Sequence, residues 1–259
     1  MNKLYDLFER NVLIGNQKLQ WLFESLHRFS LRGMNYDQVS TVQNSGELFV
    51  IDYLRRKTSS QQDVIIFDVG ANVGEYSKTL SDKFPNGRIF SFEALPATFE
   101  ILKGNLRTCE NVTLVNYALG DQEETRAIYT DGAGSGLTSF YPRESMNQPE
   151  AVHISVTTVD LFCEKNNISN IDFLKIDVEG FEFEVLKGAE KMISSGRVAN
   201  IQFEFGENYL NTGIHLQTFF QFLSAYNVSR VLRNGLRRYE HFDKIWEVYS
   251  AANYLAELR

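Results

Sequence analysis

The sequence is poor in cysteine, histidine and proline, with two, four and four residues respectively among 259. Cys109 and Cys163 form no CxxC pair and have no metal-ligand spacing. That excludes a disulfide scaffold and a cysteine-based zinc site, and it fits a reducing cytoplasm. No run of about 18 apolar residues occurs, so no transmembrane helix is expected. Met1 to Arg10 lacks the basic start and apolar core of a signal peptide, since its charges are Lys3, Asp6, Glu9 and Arg10. Net positive charge is also missing. The chain carries -7 with a pI near 5.2, so it has no general attraction for phosphate backbones, and nucleic acid is not an expected partner. Its densest basic group, Arg230 with Arg233, Arg237 and Arg238, reads as solvated or ion-paired surface.

What is present is an ordinary globular composition, 43% hydrophobic and 23% charged. The length suits one α/β domain with an extension. Residues 1–62 read as a helical extension, with Leu4, Leu7 and Phe8, then Leu19, Leu22, Phe23 and Leu26, at helical spacing. Its expected role is to cover an edge of the main domain; walling a substrate pocket or pairing subunits is the functional alternative. Residues 63–259 alternate strands and helices. Val64 to Phe67 is an apolar run of the kind buried on both faces of a parallel sheet. Further strands are expected at Arg88–Phe92, Val112–Ala118, Ile171–Asp177, Ala199–Phe205, Val228–Arg233 and Tyr249–Leu258, the last one antiparallel. Helices are expected between them, one running from Gly180 to about Ser194. Gly120 to Val159 reads as a hairpin insertion with a glycine-rich tip. No internal repeat or low-complexity linker interrupts the pattern. It predicts a doubly wound, mostly parallel, seven-stranded sheet of Rossmann-like type.

Ligands of such sheets bind at the carboxyl ends of the strands, where the order reverses. The first loop there reads Asp68-x-Gly70-x-Asn72-x-Gly74. Gly70 and Gly74 allow a sharp turn and close approach, and the next helix offers free N–H groups. Either a methionine carboxylate or a pyrophosphate would suit this loop. Three features favour S-adenosylmethionine. The loop is GxNxG rather than GxGxxG. Asp68 ends the strand, where it can meet an ammonium directly or through water. Glu93 ends the second strand, 19 residues after Gly74, where it can accept from both ribose hydroxyls, a feature shared with nicotinamide binders that supports a nucleoside in general. A nicotinamide-dependent oxidoreductase and a silent nucleoside-binding module are the competing readings.

The run Ile171-Asp172-Phe173-Leu174-Lys175-Ile176-Asp177-Val178-Glu179-Gly180-Phe181-Glu182, continuing to Leu186-Lys187-Gly188-Ala189, resembles the FkbM family of methyltransferases. Phe67 to Gly74, Ser91 to Pro96, Asn116 to Asp121 and Gln202 to Phe205 are similar to the family's other motifs, and the likeness covers residues 64 to about 206. Ala94 stands where proline commonly follows the glutamate. The resemblance implies a class I methyltransferase fold, S-adenosylmethionine as donor and O-methylation of a small molecule, sugar or glycan. By this likeness Asp68, Gly70, Ala71, Asn72, Gly74, Glu93, Ala94, Asn116, Ala118 and Asp177 are the expected cofactor-binding positions.

Methyl transfer to a hydroxyl needs the acceptor placed behind the methyl group, and it benefits from a base or a metal. Asp177, Glu179 and Glu204 close neighbouring strands and are the catalytic candidates. Asp177 and Glu204 would also suit Mg²⁺, which prefers hard oxygen ligands. Glu179 has an alternative role as a cap of the following helix. Lys175, the one charge within Phe173–Ile176, is either a pairing partner for a carboxylate or a base. His215 opens the fifth helix and is the candidate base among the histidines; an exposed loop histidine is its alternative. Ser135, in the glycine-rich insertion, is a ligand contact or a loop tip. A homo-oligomer is compatible with the sequence.

Overall fold

A computed structural model describes residues 9–37, 45–58, 63–134, 150–210 and 212–259. Ser135 lies outside them. The elements that build the domain are α1 (Gln20–Gly33), α2 (Glu47–Lys57), β1 (Ile65–Val69), α3 (Glu75–Lys83), β2 (Arg88–Phe92), α4 (Pro96–Asn105) and β3 (Val112–Val115). β4 (Ala118–Leu119) leads into the insertion, which supplies β5 (Glu124–Thr130) and β6 (Glu150–Thr157). There follow α5 (Val159–Lys165), β7 (Phe173–Ile176), α6 (Glu182–Lys187), α7 (Glu190–Ser194), β8 (Asn200–Phe205), α8 (Leu216–Phe222), β9 (Tyr226–Leu232), β10 (Gly235–Arg238) and β11 (Ala252–Leu258).

The main sheet has the order β10-β9-β11-β8-β7-β1-β2-β3. Strands β3, β2, β1, β7 and β8 are parallel, and β11 inserts antiparallel between β8 and β9. The chain winds outward from β1 to β3, then returns to the other side of β1 as β7. The order therefore reverses between β1 and β7, and the crevice for a ligand opens there. Seven strands are where the hydrophobic pattern places them. The eighth, β10, is added by a hairpin through Arg233 and Asn234, where Asn234-Gly235 is a turn signal. With β4, the insertion forms its own small sheet, β4-β6-β5.

The pleat divides the core into two faces. Ile65, Phe67 and Val69 of β1 join Leu174, Ile176, Ile201 and Phe203 on one face. Ile66 joins Phe173, Leu80 of α3 and Val50, Ile51 and Leu54 of α2 on the other. The second helix of the N-terminal region thus packs into the main core, whereas α1 buries no residue. Arg230 departs from the surface reading. It is 5% exposed, donates from Nη1 to the Tyr36 hydroxyl at 2.7 Å and lies 4.5 Å from the Tyr36 ring centroid.

The single helix expected from Gly180 to Ser194 is broken into α6 and α7. A Cβ on Gly188 would overlap the carbonyl oxygen of Gly120, so the backbones meet here. The Gly188 carbonyl accepts from the N–H of Asp160 at 2.9 Å. Asp160 in turn accepts from the N–H groups of Lys191 and Met192 at 2.9 and 3.0 Å, restarting the helix as α7.

Candidate active site

The polar residues of β1, β2, β7 and β8 share one face, because they alternate with the apolar ones. Register sets Asp68 opposite Ser91 on one side and Lys175 on the other, and Lys175 opposite Gln202. The row is buried throughout: Asp68, Ser91 and Gln202 are fully enclosed and Lys175 is 4% exposed. Burial of charge is costly unless it is paired. Here Lys175 Nζ lies 3.4 Å from Asp68 Oδ1 and 3.2 Å from Asp177 Oδ2. Ser77 donates to Asp68 Oδ2 at 2.5 Å and is bonded to Ser91. Lys175 also lies 4.7 Å from the centroid of the Tyr76 ring.

Burial alone would lower the pKa of Lys175. Asp177, Asp68 and Glu47 outweigh that and hold it above the ordinary lysine range. Lys175 is therefore a cation and takes the pairing role; a base at this position would have to be neutral. Glu47 is the residue that sequence reasoning missed. It opens α2, is 7% exposed, and accepts from the Ser45 hydroxyl at 3.0 Å. Burial raises its pKa, against the pull of Lys175. No local motif marks it, because the tertiary fold alone brings α2 to the crest.

Asp68 is fully enclosed, and Lys175 links it to Asp177 at the end of β7. Gly70 has φ +83°, and a Cβ there would overlap the Asp177 carbonyl oxygen. The glycine lets β1 and β7 close over one another. Gly74, with φ +93°, would place a Cβ 2.7 Å from Leu102 of α4. Both glycines thus serve the protein's own packing. The N–H groups of Gly70 and Ala71 donate to the Phe92 carbonyl at 3.0 and 2.9 Å, fixing the loop over β2.

Glu93 stands at the end of β2 and accepts from the N–H groups of Asn72 at 3.0 Å and Leu95 at 2.8 Å. Burial raises its pKa against those bonds. A carboxylate has about four acceptor positions, so capacity remains for a diol. Asn116 donates to the carbonyls of Glu93 and Ala94 at 2.8 and 3.1 Å, bracing the same turn. Ala118 is buried in β4 beside Leu95 and Phe181. Asn72 has φ +46°, and its Oδ1 is buried with no hydrogen-bond partner among the described residues. An orphaned acceptor beside a carboxylate with spare capacity fits a ligand that brings several donors.

The turn after β7 is held by Glu182. Its carboxylate accepts from the N–H groups of Val178 and Gly180 at 3.0 Å and from the Tyr209 hydroxyl. Burial pushes its pKa up to about 7 despite these bonds. Glu182 performs the role expected of Glu179, which does not cap α6. Glu179 has φ +59°, and its Oε2 accepts from Asn208 Nδ2 at 3.1 Å. Glu204, half-buried at the end of β8, is pushed well above its ordinary pKa by burial, then by Asp177, Glu179, Glu182 and Glu47.

The Mg²⁺ expectation finds no support. Among the described residues no three His, Cys, Asp or Glu side chains form a group that could hold a metal ion. The Lys175 ammonium lies against Asp177 instead. His215 is exposed and stands at the N-cap of α8, where its Nδ1 lies 2.6 Å from the Tyr249 hydroxyl. No bond joins it to the Asp177 and Glu204 carboxylates.

A reversal point between β1 and β7, a glycine loop, a carboxylate ending β2 and an antiparallel strand beside β8 form a crevice of the doubly wound, nucleoside-binding type. Residues 68–254 match the model of the methyltransferase FkbM domain, and the chain belongs to that family. It is 27% identical over 147 residues to "Methyltransferase 1" of Beauveria bassiana, covering 49% of this chain and 59% of that protein. It is 26% identical over 182 residues to the hexuronic acid methyltransferase AglP of Haloferax volcanii, covering 64% and 70%. The 31-O-demethyl-FK506 methyltransferase FkbM of Streptomyces tacrolimicus is 26% identical over 166 residues, covering 53% and 64%. The chain thus spans roughly three-fifths to two-thirds of the length of these relatives.

Proposed function

We propose that this chain methylates a hydroxyl oxygen of a small molecule, sugar or glycan in the cytoplasm. The names of relatives acting on a hexuronic acid and on an O-demethylated natural product support an oxygen acceptor. Bound at the crest, S-adenosylmethionine supplies an activated methyl group. Glu93 would hold the ribose hydroxyls, Asn72 Oδ1 would accept a donor of the same ligand, and the first turn of α3 would favour its carboxylate. Lys175, kept charged, orients Asp177 toward the crevice.

The observation that carries the reading is the placement of Glu204 beside Asp177 on adjacent strand ends, its pKa raised by burial and by four neighbouring carboxylates. A carboxylate made more basic in this way suits removal of the hydroxyl proton as the methyl–oxygen bond forms, the methyl–sulfur bond breaks and S-adenosylhomocysteine leaves. Asp177, held by Lys175, accepts from a neighbouring hydroxyl of the acceptor and fixes the direction of the reacting oxygen. Incubation with methyl-labelled donor and a panel of hydroxylated sugars and glycosides tests this. Label recovered as a methyl ether supports the reading; label only on nitrogen or sulfur acceptors contradicts it.

A further inference from the structure

We propose that α1 seats the protein on an anionic lipid surface. Every residue from Gln20 to Ser30 is exposed. Trp21 is 67% and Phe29 75% exposed, and Leu22, Phe23 and Leu26 are exposed with them. Helical spacing sets Leu22, Leu26 and Phe29 along one face, with Phe23 at its border. Single exposed apolar residues need no explanation, but a continuous stripe marks a docking surface.

Charge selects the occupant. Lys18, Arg28 and Arg32 stand against Glu24 alone in the stretch from Gln17 to Gly33, within a chain of net charge -7. A second copy docked symmetrically would bring to this face the same net positive stretch, three basic residues against one acidic. A lipid surface of negative charge meets the arginines and the stripe together. An apolar face flanked by basic residues and a tryptophan has the chemistry of an interfacial helix. Among the described residues no helix is long and apolar enough to cross a membrane, so the contact is peripheral.

The root of α1 is fixed to the body. Leu31 packs on the main core, Tyr36 is 1% exposed, and the Asp37 N–H donates to the Ala251 carbonyl at 2.8 Å. A Cβ on Gly206 would lie 2.7 Å from Ala251. The helix thus leaves the body at the carboxyl end of β8, the end that carries Glu204.

Flotation of the full chain with phosphatidylcholine vesicles, with and without phosphatidylglycerol, tests this. Each basic residue at an anionic surface contributes roughly fivefold, so the anionic vesicles should bind on the order of a hundredfold tighter, and salt should weaken them. R28Q/R32Q should lower that binding by roughly 30-fold. W21S/F29S should abolish binding to both vesicles with unchanged thermal melting, as the side chains are exposed. Trp21 emission, read in a W246F background, should shift to the blue on anionic vesicles. Failure to bind either vesicle, salt-independent binding to both, or binding that survives in both variants overturns the proposal. Self-association lost in W21S/F29S without vesicle binding also overturns it, and assigns the face to a second copy.

Discussion

Asp68 and Lys175 face each other in register across β1 and β7, with Oδ1 and Nζ 3.4 Å apart at the bottom of the crevice. The pair ties the first strand to the fourth parallel strand where the winding reverses. Its partners extend it on both sides, to Ser77 and Ser91 through Asp68 and to Asp177 through Lys175. The frame of the cofactor crevice is therefore a buried ionic row rather than an apolar one.

Removing one member of that row leaves an uncompensated buried charge. K175M should destabilise the fold by about 3–5 kcal/mol, measured by urea unfolding. D68N/K175M should recover part of the loss, since it removes both charges. A loss in the double variant equal to the sum of the D68N and K175M losses would show that Asp68 and Lys175 are not coupled.

Gly70 offers a sharper structural check. G70A combines a positive φ with overlap on the Asp177 carbonyl, and it should cost several kcal/mol, at or beyond the upper end of ordinary single substitutions. A G70A protein with wild-type unfolding would contradict the close approach of β1 and β7.

Glu182 gives a pH dependence with a definite sign. Its folded pKa is raised to about 7 from 4.5. The folded state then holds a proton that the unfolded state has lost. Its stabilising contribution is complete below about pH 4.5 and is lost as pH rises through about 7. The change amounts to about 3 kcal/mol. E182Q should remove this component, flattening the fall in urea midpoint between acidic and neutral pH. A wild-type slope in E182Q would place the titration elsewhere.

E204Q should lower methyl transfer by about 10²-fold or more while leaving donor affinity intact. In the wild type the rate should climb as pH rises through the elevated pKa of Glu204, because the base must be ionised. Single-turnover rates across pH check both; an E204Q enzyme with the wild-type profile removes Glu204 from the chemistry.

E93A should weaken donor binding by about 10- to 100-fold, through loss of charge-assisted bonds to the ribose. Calorimetric titration measures it, and unchanged affinity would contradict the role of Glu93.

Much of this architecture was legible in the residue pattern. Val64 to Phe67, the GxNxG loop, Glu93 and the run around Asp177 fall on the strands and turns that the pattern predicts. Local rules served there because parallel core strands are continuous apolar runs and their ends are marked by polar residues. Glu47 was hidden, since a helix that reads as an extension gives no sign of touching β7. Glu182 was hidden beside Glu179: two acidic residues open one turn, and only backbone geometry shows which of them folds back. The break at Gly188 was hidden because it depends on Gly120, 68 positions earlier in the chain. Lys175 read as either partner or base, and its three surrounding carboxylates, two of them distant in sequence, decide for the partner.

Titration of the wild-type protein with S-adenosylmethionine and, separately, with NAD tests the central claim most directly. Saturable binding of one S-adenosylmethionine per chain, with no heat from NAD, is the predicted result. Heat from NAD alone, or from neither, would contradict a donor site at the ends of β1, β2 and β7.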